Sequence, residues 1–112
     1  MLPQKNRLKK EKDFKNVSQK GRVLKEGPIF LKFSRNKKEI NRVGFVVSKK
    51  ISKKAVTRNK IKRRMREAAK SDWGELEKGY DLIFFSSPGI EELDFAEISR
   101  LISNLIKKAG LK

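Results

Sequence analysis

Two hydrophobic rhythms organise the 112 residues. At 29–34 the side chains alternate: Ile29, Leu31 and Phe33 point one way, and Phe30, Lys32 and Ser34 the other, the period of a strand. One phenylalanine of that stretch faces the core, and periodicity alone leaves open which. Val43-Gly44-Phe45-Val46-Val47 and Leu82-Ile83-Phe84-Phe85 are unbroken apolar runs, the pattern of strands buried on both faces. The strand over 80–86 is therefore expected to lie centrally. The charged turn 35–41 is expected to join the two earlier strands as an antiparallel pair.

The helical rhythm is clearest near the end. Ile98, Leu101, Ile102, Leu105 and Ile106 repeat at i, i+3, i+4, i+7 and i+8 behind an Asp94-x-x-Glu97 capping box. Lys107 and Lys108 suit the last turn, and Gly110 ends it. This helix reads as purely structural. A first helix is expected over 9–20, with Phe14 and Val17 on one side and Gly21 as its stop. Residues 1–8 read as a loose basic arm.

The most informative helix spans 57–70, which holds no Pro or Gly. At about 100° per residue, Ile61, Met65, Ala68 and Ala69 share one face. Asn59, Lys62, Arg63, Arg66 and Lys70 fill an arc of roughly 100° opposite. Thr57 is the expected N-cap, and the amides beside Arg58 would favour a phosphate. Trp73, near the helix end, is expected to cover a core edge. The order is α-β-β-α-β-α: an α+β chain, read as an α/β two-layer sandwich with a small mixed sheet packed with helices, forming one domain over 1–112.

Charge turns this scaffold toward a partner. The net charge is +17, and it is segregated: residues 1–70 hold 25 Lys/Arg against 5 Asp/Glu, residues 71–112 hold 5 against 8. Such a field draws polyanions, with binding that falls steeply in salt. A merely solvated helix face would alternate signs, yet 57–70 has a single acid, Glu67. A membrane-surface helix would carry aromatic anchors on its apolar side, and this one carries alanines.

Catalysis by the chain itself is disfavoured. There is no His and no Cys, which removes the commonest general base, the usual nucleophile pairs and thiolate metal sites. The carboxylates are scattered, without the clustering that a two-metal nuclease needs. No run has the length of a membrane span, and the first residues lack the apolar core of a secretion signal, so a cytoplasmic protein is expected.

The run VGFVVSKK, a short turn, then A-V-x-R-N-x-I-K-R-x-x-R-E resembles the protein component of bacterial ribonuclease P. Arg58, Asn59, Ile61, Lys62, Arg63 and Arg66 match that family's helix signature, and the likeness extends over about residues 7–108. Lys60 stands where the family usually has an arginine, which keeps the charge and loses the planar fork. The resemblance implies a ribosomal protein S5 domain 2-like fold with a left-handed βαβ crossover. It implies that Ser48, Lys49, Lys50, Arg58, Asn59, Lys60, Lys62, Arg63 and Arg66 face a catalytic RNA. It also implies a cleft for the single-stranded 5′ leader of precursor tRNA, with Phe14 from the Asp13-Phe14 motif and Phe33 as its aromatics. Ser18 occupies a position where the family often carries a second aromatic. In such an assembly the RNA subunit, using Mg²⁺, removes the leader endonucleolytically. This chain would supply no catalytic residue, and no spacing of its acids resembles a metal site. Phe14 could equally pin its helix to the sheet.

Two other readings fit the charge. A ribosomal or ribosome-associated RNA-binding protein would copurify with ribosomal RNA rather than with one discrete catalytic RNA. A DNA-binding helix protein would need a first helix where the apolar strand 43–47 lies.

Overall fold

Tyr80–Ser86 has a hydrogen-bonded neighbour on each side, as its double-faced apolar run requires. In chain order the elements are α1 (Glu11–Lys20), β1 (Arg22–Glu26), β2 (Ile29–Arg35), β3 (Arg42–Val47), α2 (Ala55–Trp73), β4 (Tyr80–Ser86), a 3₁₀ turn (Ile90–Glu92) and α3 (Phe95–Lys108). The computed structural model describes residues 6–8 and 11–112, with Lys20 by its backbone only. The sheet order is β1-β2-β4-β3. β4 runs antiparallel to β2 and parallel to β3, so the sheet is mixed, and α2 makes the crossover between parallel neighbours.

Two expectations are corrected. The order contains one more strand than α-β-β-α-β-α, because Arg22–Glu26 pairs with β2 as an edge strand. β2 and β3, consecutive in the chain, are not paired; β4 is inserted between them. The insertion is what buries both faces of β4: Leu82, Ile83 and Phe84 are each at most 1% exposed. Burying one such side chain stabilises by about 1.5–3 kcal/mol.

The two faces of the sheet are unequally covered. On one, Ile29, Leu31, Phe33, Val43, Leu82 and Phe84 pack against Ile61, Met65 and Ala68 of α2 and Ile98, Leu101, Ile102, Leu105 and Ile106 of α3. Trp73 seals the margin of this core, as expected. On the other face Val17 of α1 packs over Ile83 together with Leu8, which precedes the helix. The capping box of α3 is complete: Glu97 N donates to Asp94 Oδ1 (2.8 Å) and Asp94 N to Glu97 Oε1 (3.4 Å).

Polar groups stitch the Arg42–Tyr80 end. The Asn41 side chain donates to Glu77 O (2.8 Å) and accepts from Tyr80 N (2.9 Å), while its backbone carbonyl accepts from the Asn6 amide (2.7 Å). Leu8 N then donates to Val43 O (2.9 Å), and Arg7 bridges Val43 in parallel. Residues 6–8 are thus held on the β3 edge, where a loose arm was expected; residues 1–5 of that arm lie outside the described residues.

Asp72 ties α2 to α3. Its carboxylate accepts from Ser103 Oγ and pairs with Lys112 Nζ. Burial pushes its pKa up, but the bonds from Lys112 and Ser103 outweigh that and hold it below the ordinary carboxylate value. A depressed folded pKa gives stability present above the unfolded pKa and lost as pH falls through the folded one. Asp72→Asn is therefore expected to destabilise by roughly 1–3 kcal/mol at neutral pH. The gap from the parent should shrink as urea titrations move below about pH 4. A pH-independent gap would remove the ionised carboxylate from this tie.

Candidate nucleic-acid interface

The basic turn and α2 form one cationic surface. Ser48 Oγ accepts from Lys50 N (3.0 Å) and Ser52 Oγ from Lys54 N (3.1 Å), which shapes the turn and leaves Lys49 and Lys50 exposed. Ile51 anchors the turn to the core. Arg58 is half-buried and donates to Ser52 O (2.9 Å), bracing turn against helix. The helix starts at Ala55, two residues before the expected cap. Lys54 holds the N-cap position without a side-chain bond, and Thr57 sits inside the first turn. The extra turn forms because residues 55–57 include nothing that breaks a helix, and the carbonyl of Lys54 already accepts from Arg58 N (3.2 Å).

The two faces of α2 fall where the 3.6-residue period puts them. Ile61, Met65, Ala68 and Ala69 are buried, and Asp72 extends that row. Asn59, Lys60, Arg63 and Lys70 are exposed; Lys62 and Arg66 are half-buried. Among the described residues, no carboxylate pairs with any cation of α2, and its first turn holds no acid. An unneutralised row of this kind suits a phosphate backbone, with arginine gripping two oxygens and lysine acting as a point charge.

Lys62 and Arg66 do not stand alone. They line a concavity of about 380 Å³ together with Arg7, Leu8, Phe14, Val43, Gly44 and Phe45. The groove lies along the edge of β3 and joins the cationic side of α2 to the aromatic of α1. Phe14 is half-buried, seated over Gly44 so closely that a Cβ there would lie 2.6 Å from its Cζ. Asp13 fixes the same turn of α1 to the sheet. Arg42 Nη1 donates to Asp13 Oδ2 (3.2 Å), while its Nε and Nη2 grip Asp81 Oδ1 (2.9 Å) and Oδ2 (2.7 Å). The hydrogen bond to Asp81 is the main reason the Arg42 pKa is raised, against the effect of burial.

Phe33 is not in this groove. It is 5% exposed and packed within the α2/α3 side of the core, in register with Leu82 on β4. The alternation of β2 then turns Phe30 and Lys32 to the thinly covered face. Phe30 lies opposite Phe85, and Phe85 opposite Val46, so a half-buried apolar row crosses β2, β4 and β3 on the face that α1 covers in part. Lys25 stands over the Phe30 ring (5.2 Å) and Lys32 over the Phe85 ring (5.0 Å). Sequence reading missed Phe85, because a continuous apolar run gives no sign that one covering layer stops short. It also missed Lys25, Lys32 and Arg7.

No group of three or more His, Cys, Asp or Glu that could hold a metal occurs among the described residues, and none of the described helices is long and apolar enough to cross a membrane.

The family model described as Ribonuclease P matches residues 2–110. Over 107 residues the chain is 39% identical to the ribonuclease P protein component of Clostridium kluyveri, covering 94% of this chain and 95% of that protein. Against the same component of Alkaliphilus metalliredigens the identity is 36%, covering 95% of each. Among solved structures, the RNase P protein of Staphylococcus aureus has a TM-score of 0.86 at 29% identity, covering 95% of this chain and 96% of that one. That of Thermotoga maritima has a TM-score of 0.82 at 30% identity, covering 91% and 96%.

Proposed function

The chain belongs to the ribonuclease P protein family, and from that membership we propose that it is the RNA-binding subunit of a ribonucleoprotein whose RNA cleaves precursor tRNA with Mg²⁺. It acts as one RNA-binding domain, in the cytoplasm, and supplies no catalytic group. Ser48, Lys49, Lys50, Arg58, Asn59, Lys60, Lys62, Arg63 and Arg66 face the catalytic RNA. Their charge offsets the repulsion between two polyanions that must approach closely. Phe14, with Phe30 and Phe85 in the place expected for Phe33, offers ring faces to the unpaired bases of the leader. Favouring the leader favours precursor over mature product.

One observation carries this reading: Lys62 and Arg66 of the cationic helix open into the same groove as Phe14. A strand stacked on Phe14 therefore lies beside whatever α2 grips. The test is reconstitution. With a bacterial ribonuclease P RNA and precursor tRNA at low Mg²⁺, adding the pure protein is expected to turn cleavage on, and protein without RNA should leave the substrate intact. Cleavage by the protein alone, or none upon adding it, would overturn the reading.

A further inference from the structure

At the end of the sheet away from the basic turn lies a second cationic site. Arg22 lies over the Phe33 ring (5.9 Å), Phe33 meets Tyr80 (6.4 Å between centroids, tilted 53°), and Arg35 lies over the Tyr80 ring (5.4 Å). All four line a concavity of about 310 Å³ that Ala109, just past α3, closes on one side. Neither arginine has a carboxylate partner among the described residues, and residues 1–5, 9 and 10 include no acid. Arg42, also at this end, is bound to two aspartates. Arg22 and Arg35 are exposed, and Tyr80 is half-buried with its hydroxyl unpartnered among the described residues.

Attraction to a ring face holds a guanidinium in place and leaves its N–H groups able to donate. Two such groups at one concavity, beside a free phenol, are preorganised for phosphate oxygens. The strand pairing sets the distance from the other surface. Val47, which leads into the basic turn, lies beside Ser86, whereas Tyr80 begins the same strand six residues away. That places the two cationic sites about 20 Å apart along the sheet, at roughly 3.3 Å per residue.

We propose that Arg22, Arg35 and Tyr80 form a second phosphate-binding site, which takes the backbone of an RNA strand distinct from the one that α2 grips. The inference rests on the RNA-binding function proposed above. The alternative is that the two arginine stems simply shield ring edges from water.

The test compares Arg22→Gln/Arg35→Gln with the charge-matched Lys38→Gln/Lys78→Gln, whose lysines are exposed at the same end without a ring beneath them. Binding of the full chain to a ribonuclease P RNA is measured across a salt series. The arginine variant is expected to bind about tenfold more weakly, with a log–log salt slope shallower by about 2. The lysine variant should stay within about twofold of the parent. Equal behaviour of the two variants would overturn the second site, and competition by inorganic phosphate at concentrations that leave α2-dependent binding intact would assign it to free anions instead of an RNA strand. In the same assay Arg63→Ala/Arg66→Ala reports separately on the α2 surface, so failure of the second site alone leaves the RNA-binding reading standing.

Discussion

Arg63→Ala/Arg66→Ala is expected to weaken binding to the catalytic RNA by about ten- to a hundredfold near 0.15 M salt, and to flatten its salt dependence by about two counterions. Neither side chain supports the fold. Arg63 is exposed, Arg66 is half-buried at the groove, and the helix holds to the core through Ile61, Met65, Ala68 and Ala69. The loss should therefore appear in assembly with an unchanged urea midpoint. Filter binding at several salt concentrations checks it, and identical affinity at each of them would exclude this face. Lysine at both positions should recover the slope and only part of the affinity, because the bidentate fork is gone.

Gly44→Ala is expected to act on the groove and leave the fold in place. The new methyl would stand 2.6 Å from Cζ and 2.7 Å from Cε1 of Phe14, and 3.4 Å from Leu8 Cβ. The contact falls on the far end of a side chain, so the ring swings aside at small cost to stability. What is lost is its seat. A base stacked on an aromatic is worth about 1–3 kcal/mol, so the preference of the holoenzyme for precursor over mature tRNA should fall by about tenfold, while affinity for the catalytic RNA stays. Phe14→Ala should reproduce the effect, and the double variant should add nothing further. Full discrimination by Gly44→Ala would detach Phe14 from leader recognition.

What the chain reveals in advance depends on how local each cause is. The division of α2 into an apolar and a cationic face follows from a period of 3.6 residues, and the cap of α3 from four consecutive positions, so both are legible. β1 is not. Arg22–Glu26 is RVLKE, an edge strand with four of its five residues charged or exposed, and its pairing answers to β2 rather than to any pattern of its own. The insertion of β4 between β2 and β3 is equally silent, because chain neighbours usually pair. Asp81 looks like a surface acid at the start of a strand, yet it is 5% exposed. Its partner Arg42 is supplied from 39 residues away, and Asn36 from 45. Phe30 and Phe33 differ by one strand face, and only the position of α1 decides which is open. The candidate site is legible where it sits on one helix and illegible where it is assembled from several strands.

The side chain of Asn41 offers hydrogen to Glu77 and receives it from Tyr80, while its carbonyl takes the amide of Asn6. Aspartate would match its shape but offer no hydrogen to Glu77, and leucine would answer neither neighbour. A single amide thus works as a two-way lock at the junction of three chain segments, and when it opens, the entries to β3 and β4 come free together.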